Sequence, residues 1–425
     1  MAIATGGWTE GETRTQGREH RWKVLGVGVA ANVSFFAAFA GLPATAVLMR
    51  TSYHLSNAQL GFALGLLGLG TAISEVPWGL LTDRLGDRRV LLMGLIATTA
   101  MLVLMALADA PRGFLFSHEA LPTPLMLAGG LFMVGFLGGS INGASGRAVM
   151  AWFREGERGF AMSVRQTAVP AGGGLGALIL PALIDHWGYV PAYVLLAFAC
   201  ALSAFFTWRW LHEPPLEHGA HGGATTRTAS RGPLRDPQIW RVAGAIGLLC
   251  APQCAVVAFA TVFLHDFSHA GLAAASLAMG LVQAGAAISR IASGRWTDRH
   301  RNRRAFLRGC SVATTVIFGA LALAIVAAEH GLLAAASPLI FILLVAGGIC
   351  GSAWHGVAFT ELATLAGAAR AGTALGLGNT FAFVSLFLTS TVIPWLLPLG
   401  AWPLAWLVVT VCALLATPVF PRQPV

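Results

Sequence analysis

The sequence predicts an all-α integral membrane protein with twelve transmembrane helices in two pseudo-symmetric six-helix bundles. Three observations predict this fold. The chain is 56% hydrophobic and only 11% charged, with a mean hydropathy of +0.71, whereas a soluble domain carries roughly 25% charged residues. Long apolar runs follow one another along the chain. A charged cassette occurs twice, about half a chain apart, each time between two such runs.

The apolar runs are long enough to cross a membrane as helices. Each holds about 20 or more residues, which spans a hydrocarbon core of ~30 Å at about 1.5 Å of rise per residue. Helices are favoured over strands because the runs are continuously apolar and show no two-residue alternation. The predicted spans are residues 22–49, 57–82, 89–109, 121–151, 159–184, 189–211, 239–266, 272–296, 304–328, 332–363, 371–397 and 401–420.

These spans divide into two bundles, at residues 22–212 and 239–420, with short tails at 1–21 and 421–425. Residues 213–238 form the longest polar interval, and their proline, glycine and arginine content is typical of a flexible linker. Lys and Arg are concentrated in alternate loops and the termini, with only Arg50 and Arg112 in the opposite set of loops. This bias predicts that the linker, the cassettes and both termini are cytoplasmic.

The net charge of +9 therefore reflects membrane topology, and we expect no nucleic-acid partner. The first apolar run follows a charged leader without a small-residue cleavage site, which predicts a retained anchor. We expect a multi-pass protein of a bacterial inner membrane that works as a monomer within the lipid bilayer. The six cysteines are scattered through the apolar runs without metal-ligand spacing, so we expect no metal site and no cofactor.

The repeated cassette reads GLLTDRLGDRR at residues 79–89 and GRWTDRHRNRR at 294–304, so the two copies begin 215 residues apart. A second repeat pairs RGFAMSVRQT at 158–167 with RAGTALGLGNT at 370–380, with one gap. This pairing makes Gln166 equivalent to Asn379. Two six-helix halves in parallel orientation account for both repeats.

The first cassette resembles the signature loop of the major facilitator superfamily, Gly-x-x-x-Asp-Arg-x-Gly-Arg-Arg, with Asp87 as an added residue before the arginine pair. The second copy has Arg301 in place of the inner glycine. The resemblance implies a carrier whose halves move about a central site. It also implies that the loops gate this movement and stabilise the outward-facing state, and it assigns a gating role to Asp83, Arg84, Arg88, Asp298 and Arg299.

Two further arginines lie at places that resemble carriers of anions. The stretch RAVMAWF at 147–153 is similar to the Arg-x-Val-x-x-Trp-Phe stretch of anion:cation symporters, in which the arginine faces the substrate route. Arg290 stands four residues before the second cassette, where monocarboxylate transporters carry a substrate-binding arginine. The span-one signature of monocarboxylate transporters is absent, so the chain is not assigned to that branch.

Glu75, Arg147, Arg165 and Arg290 lie inside predicted spans. A charge at the middle of the bilayer costs about 2.5–3.5 kcal/mol, so these side chains should face water, pair with one another or reach the interface. Glu75 and Arg290 each precede their cassette by four residues, and could pair across the halves or bind other partners. The arginines outnumber the acid, and a planar guanidinium suits a carboxylate. The predicted substrate-binding residues are Arg147, Arg290, Arg165, Gln166, Asn32 and Asn379.

An anion carried into a negatively polarised cell needs an accompanying cation, and a proton is the simplest choice. Glu75 and His355 are the predicted proton-coupling residues, because a carboxyl or imidazole group inside a span can bind and release a proton. The sequence thus predicts a secondary transporter for proton-coupled uptake of a small organic anion. It contains no Walker-type motif and no catalytic cluster, so we expect no enzyme.

Two other functions stay open. The stretch VPAGG at 169–173 is similar to the core of proton-driven exporters of drugs or amphiphilic compounds, without their leading glycine. A signalling receptor built on a carrier fold is the third possibility. Drug sensitivity of a strain that lacks the protein would indicate the exporter, and ligand binding without flux would indicate the receptor.

Overall fold

The computed structural model describes residues 10–110, 124–212, 232–268, 272–332 and 336–422. Arg112, the ends of both tails and linker residues 213–231 lie outside these ranges. The described residues form α-helices joined by short turns, with no strand among them. We refer to α1–α8 as the first half and to α9–α14 as the second half, following the sequence repeat.

The bounds of the helices follow the apolar runs. The first half contains α1 (Glu10–Ala44), α2 (Ala46–Ser52), α3 (Asn57–Leu85), α4 (Asp87–Asp109), α5 (Pro124–Trp152), α6 (Arg158–Gln166), α7 (Ala168–Trp187) and α8 (Tyr189–Trp210). The second half contains α9 (Pro237–Ser268), α10 (Leu272–His300), α11 (Arg303–Glu329), α12 (Ala336–Ala353), α13 (His355–Ala366) and α14 (Ala371–Val419).

The predicted all-α membrane fold is confirmed. Eleven segments of the described chain are long and apolar enough to cross a membrane. The predicted eighth span, 272–296, is not among them, but α10 occupies that part of the chain. The last two predicted spans form one continuous helix, α14, whose 49 residues would measure ~74 Å if straight. Two apolar segments, Ala368–Leu399 and Trp402–Val419, together include nearly all of α14, consistent with two crossings.

Two predicted spans are interrupted helices. The fifth span consists of α6 and α7, which meet at Thr167, and the tenth consists of α12 and α13, which meet at Trp354. Pro170 explains the first interruption, because proline has no N–H to donate to the carbonyl oxygen of Gln166, four residues earlier. No proline accounts for the second interruption, at Trp354.

Each cassette turns between two helices through a residue with positive φ. Gly86 joins α3 to α4 with φ 85°, a conformation that costs glycine little. Arg301 takes this place between α10 and α11 with φ 52°, in the left-handed region that non-glycine residues adopt less often. The substitution of arginine for the signature glycine therefore keeps the turn, at some conformational cost.

Each half has an apolar core of its own. In the first half, α1 packs on α7, α3 on α5 and α4 on α8, and in the second half α9 packs on α14 and α10 on α12. The halves meet where α3 packs on α14 and where α6 packs on α10 and α13. All three tyrosines of the chain lie in the first half, where the hydroxyl of Tyr53 contacts that of Tyr193 and the hydroxyl of Tyr189 contacts Thr45.

Candidate functional site

Asp83 caps a helix of the opposite half. It lies in the last turn of α3, and its carboxylate accepts hydrogen bonds from the backbone N–H of Gly372 and of Thr373, both at 2.8 Å. The hydroxyl of Thr373 donates to the same carboxylate. Gly372 and Thr373 belong to the first turn of α14, whose N–H groups have no partner within their own helix. A carboxylate is favourable at this positive end of a helix.

Asp298 makes the equivalent contact in the other direction. It lies near the end of α10 and accepts hydrogen bonds from the backbone N–H of Gly159, at 3.0 Å, and of Phe160, at 2.8 Å. These residues belong to the first turn of α6, in the first half. Each half therefore caps a helix of its partner half through a cassette aspartate. We call the contacts of Asp83 and Asp298 the cassette layer.

The first glycine of each cassette lets the helix backbones approach within the cassette layer. A Cβ atom on Gly79 would collide with the carbonyl oxygen of Gly372, and one on Gly294 would collide with that of Gly159. Both collisions would be with backbone atoms of the opposite half, which cannot turn away as a flexible side chain could. The cassette glycines are thus required for this close packing of the halves.

Arg147 lies in the cassette layer. We expected it to face the substrate route, but its guanidinium donates to Asp87 at 2.6 Å and lies 3.5 Å from Asp83. It also donates to the carbonyl oxygen of Ala368, in the second half. The positive charge of Arg147 is thus balanced by two cassette carboxylates. Arg147 lies five residues before the end of α5, close enough to that end for its long side chain to reach the cassette.

Arginines of the cassettes themselves have varied surroundings. Arg303 pairs with Asp298 at 3.1 Å, and Arg304 pairs with Glu361 at 2.6 Å. Arg88 donates to the carbonyl oxygen of Trp208 within the first half. The side chains of Arg84 and Arg299 are exposed. A cavity of about 250 Å³ lies beside the second cassette, and none of the predicted substrate-binding residues lines it.

A second set of contacts lies deeper along the same two helices. Glu75 precedes Asp83 by eight residues, a rise of ~12 Å along α3. Its side chain is fully buried. The carboxylate accepts hydrogen bonds from Nδ2 of Asn142, at 2.5 Å, and from Nδ2 of Asn379, at 3.1 Å. Asn142 belongs to the first half and Asn379 to the second, so Glu75 connects the two halves.

Arg290 occupies the equivalent place on α10, eight residues before Asp298, and is only 2% exposed. Its Nε donates to the carbonyl oxygen of Ser352 at 2.9 Å, and its Nη1 donates to that of Gln166 at 2.8 Å. Ser352 lies in the second half and Gln166 in the first. Arg290 therefore also connects the halves, and it does not pair with Glu75. We call the contacts of Glu75 and Arg290 the buried layer.

Arg165 lies beside the buried layer and is 3% exposed. Its Nε donates to the hydroxyl of Ser145 at 2.9 Å, and its Nη2 donates to the carbonyl oxygen of Asn142 at 2.6 Å and to Oδ1 of Asn32 at 3.4 Å. All three acceptors are neutral. Glu75 is close enough for an electrostatic interaction with Arg165, and Asn142 is hydrogen-bonded to both charged residues.

The other predicted residues lie close to this network. Asn32 donates to Ser145 at 2.9 Å, and the backbone of Gln166 binds Arg290. The ring of His355 stacks on that of Trp354 with centroids 3.9 Å apart. The Nδ1 atom of His355 is buried, with no hydrogen-bond partner among the described residues. The structure therefore brings every predicted substrate-binding residue except Arg147 into the buried region between the halves.

Several polar residues of this network were not predicted from the sequence. Asn142 and Ser145 lie in the predicted fourth span, 121–151, but their roles depend on helix packing that the sequence does not show. Ser352 contributes a backbone carbonyl, for which side-chain identity gives no signal. Within the described ranges, no group of three or more His, Cys, Asp or Glu residues could hold a metal ion, and the six cysteines are free.

Comparison with known sequences places this geometry in a family context. The sequence model of the Major Facilitator Superfamily matches residues 27–335. The MFS-type transporter Rv2994 of Mycobacterium tuberculosis H37Rv is 28% identical over 402 residues, which cover 94% of this chain and 85% of that protein. The multidrug resistance protein MdtG of Dickeya zeae is 28% identical over 180 residues, which cover 42% of this chain and 41% of that protein.

Two solved structures share the fold. The proton:xylose symporter XylE, bound to 6-bromo-6-deoxy-D-glucose, superimposes with a TM-score of 0.73 at 16% identity, covering 94% of this chain and 95% of that one. The transporter FucP, in its outward conformation, superimposes with a TM-score of 0.68 at 14% identity, covering 93% of this chain and 98% of that one. At these identities the likeness establishes the fold alone.

Proposed function

This chain belongs to the major facilitator superfamily of membrane transporters, and on that premise we propose that it takes up a small organic anion, a carboxylate, together with protons. We place it in a bacterial inner membrane as a monomer, with both termini in the cytoplasm. The cassettes then lie at the cytoplasmic face. Alternating access would break and re-form the contacts of the cassette layer, with Asp83, Asp298 and Arg147 as gating residues.

The buried charges of Arg165 and Arg290 support an anionic substrate. Both residues are at least 97% buried, and neither makes an ion pair among the residues that the structure describes. A buried charge without a counter-charge is unfavourable. A carboxylate would supply the counter-charge and would match the planar guanidinium with two parallel hydrogen bonds.

The link from Glu75 through Asn142 to Arg165 supports coupling to protons. An ionised Glu75 offsets the positive charge of Arg165 across the Asn142 side chain and backbone. Protonation of Glu75 removes that offset and strengthens the attraction of Arg165 for an anion. Because such coupling is reciprocal, a bound anion also favours protonation of Glu75. Proton and anion would therefore bind together. His355, whose buried Nδ1 lacks a partner among the described residues, is the second candidate for the proton site.

Uptake by proteoliposomes tests this proposal. The purified protein is reconstituted and offered a panel of radiolabelled mono- and dicarboxylates, with and without an inward proton gradient. We expect accumulation of at least one carboxylate that depends on the gradient and disappears with a protonophore. Arg165→Ala and Arg290→Ala should abolish it, while Arg241→Ala should not, since Arg241 is exposed and binds carbonyl groups of its own half. Full uptake by both of the first two variants would rule out the proposed arginine mechanism.

Export of drugs or amphiphilic compounds is the alternative function. The similarity to the multidrug resistance protein MdtG, which extends over 42% of this chain, favours the exporter. The buried network argues against cationic drugs, because its two arginines outnumber its one carboxylate. Deletion of the gene from its host separates the two functions: increased drug sensitivity with unchanged carboxylate uptake would support the exporter.

A further inference from the structure

One guanidinium group supplies hydrogen bonds to both interrupted helices. The carbonyl oxygen of Gln166 lacks its usual donor because Pro170 has no N–H. The carbonyl oxygen of Ser352 lies in the last turn of α12, where carbonyl groups have no partner within the helix. Arg290 donates to both oxygens, at 2.8 and 2.9 Å. We call these two hydrogen bonds the Arg290 bridge.

The Arg290 bridge differs from the other contact of α10 with these interruptions. Ser293, one turn further along α10, donates to the carbonyl oxygen of Ala353 at 2.8 Å. Both residues of that contact belong to the second half, so it persists when the halves separate. The hydrogen bond from Arg290 to Gln166 joins the halves, so separation of α6 from α10 must break it.

The two carbonyl groups also provide the negative charge that faces Arg290. Neither oxygen receives a hydrogen bond from its own helix, so the negative end of each carbonyl dipole faces the guanidinium. Two neutral carbonyl groups offset the charge of Arg290 only in part, and Arg290 has no carboxylate partner among the described residues. A carboxylate cargo carries a full negative charge and can accept two parallel hydrogen bonds from one guanidinium group, so it can replace both carbonyl groups.

We propose that Arg290 holds the cassette end of the empty transporter closed, and that an anionic cargo opens it by replacing the carbonyl groups of Gln166 and Ser352 on the guanidinium. The cargo's identity rests on the proposed function, but the closing action of the bridge does not. With the cargo bound, Gln166 loses its donor from the second half and α6 is released from α10. Arg290 is thereby a positioning residue for α6.

A cysteine introduced at position 375 reports this opening. Leu375 is 2% exposed, and its side chain fills the space beside Gly146 of the opposite half. The reporter is the full-length protein with its six native cysteines replaced by alanine and with Leu375→Cys. It should react slowly with a soluble maleimide while the halves are in contact. We expect Arg290→Gln to raise the labelling rate without any cargo by roughly tenfold, the effect of losing one hydrogen bond to a charged group.

A matched variant separates the bridge from a general loss of an arginine. Arg241 also donates to two backbone carbonyl groups, those of Pro418 and Val419, but both lie in its own half. Arg241→Gln should leave the labelling rate unchanged. An equal labelling rate for Arg290→Gln and Arg241→Gln would overturn the proposal. Should Arg290→Gln fail to fold by size-exclusion chromatography, Arg290→Lys decides, because a lysine cannot reproduce the planar pair of donors; an unchanged rate in that variant would overturn the proposal.

A cargo experiment tests the second part. A carboxylate that the protein transports should accelerate labelling of the Leu375→Cys reporter with Arg290 intact, and should have no further effect in Arg290→Gln. Labelling of the empty protein requires no cargo. If Arg290→Gln is labelled faster but no carboxylate is found to be transported, the bridge is supported and the proposed function is refuted. If a carboxylate is transported but Arg290→Gln is labelled at the unchanged rate, the bridge alone is refuted.

Discussion

Glu75 and Arg290 each bind the equivalent residue of the opposite half. Glu75 accepts a hydrogen bond from the side chain of Asn379, and Arg290 donates one to the backbone carbonyl group of Gln166. Gln166 and Asn379 are themselves equivalent in the repeat. The same contact between the halves therefore occurs twice, once from each half. The charged residue is a glutamate in one copy and an arginine in the other, and its partner is a side chain in one copy and a backbone carbonyl group in the other.

Glu75→Gln should uncouple transport from the proton gradient. The glutamine keeps one oxygen to accept from Asn142 or Asn379 but cannot be protonated and deprotonated. We expect gradient-driven accumulation to fall to the level of protein-free liposomes, while exchange of labelled for unlabelled substrate persists. Glu329→Gln, at an exposed site at the end of α11, serves as the control with full accumulation. Normal gradient-driven accumulation by Glu75→Gln would assign the proton to another residue.

Arg165→Lys should weaken substrate binding more than turnover. A lysine keeps the charge but loses the planar pair of donors, and a hydrogen bond to a charged group contributes about 1.5–3 kcal/mol. We expect KM for the carboxylate to rise by roughly 10- to 100-fold, with a smaller change in kcat. Initial rates of uptake over a range of substrate concentrations provide both constants. Arg209→Lys, an exposed arginine of α8, should leave KM unchanged; a fall in kcat alone for Arg165→Lys would exclude a binding role.

Asp83→Asn and Asp298→Asn should each favour opening of the cassette end. Each aspartate accepts hydrogen bonds from two backbone N–H groups. In asparagine an N–H₂ group replaces one of the two accepting oxygens. The remaining oxygen of asparagine can accept only one of the two hydrogen bonds, and the loss of one costs about 1 kcal/mol, so we expect maleimide labelling of the Leu375→Cys reporter to rise about fivefold in each variant. Asp185→Asn, at an exposed site in α7, is the matched control. Labelling unchanged by both cassette variants would show that the two caps do not hold the halves together.

Gly79→Ala and Gly294→Ala should prevent close approach of the halves. The added methyl group would meet a backbone carbonyl oxygen of the opposite half in both cases, and overpacking of this kind costs about 1–3 kcal/mol. We expect faster labelling of the Leu375→Cys reporter and slower uptake. Gly309→Ala provides the control, because a Cβ atom there has no neighbour within 4 Å. If all three variants behaved alike, close backbone contact at the cassettes would be unimportant for transport.

The repeat explains which features of the candidate site could be predicted from the sequence. It fixes which residues of the two halves are equivalent, so the correspondence of Glu75 to Arg290 and of Gln166 to Asn379 follows from the sequence alone. Their partners do not, because the residue that faces a side chain depends on how helices from distant parts of the chain pack. Glu75 and Arg290 could have paired with each other, yet each binds neutral groups.

The contacts of Arg147 and the interruptions of two helices were not predicted from the sequence. Position along a span predicts depth but not the direction in which a long side chain extends, and Arg147 extends toward Asp87. Pro170 was a usable signal for the interruption at Thr167, since it removes one donor from the helix. The interruption at Trp354 has no proline near it, and it is visible only in the structure, where α12 ends at Ala353 and α13 begins at His355.

The opposite charges of Glu75 and Arg290 depend on both halves belonging to one polypeptide. A homodimer of first halves would place a glutamate at each of these positions, leaving the Gln166 carbonyl group without a guanidinium donor and burying two carboxylates. Because the two halves are different stretches of one chain, the equivalent positions can carry different residues, glutamate in the first half and arginine in the second. Exchange of the second half for another copy of the first should therefore yield a protein that folds as two bundles and transports nothing.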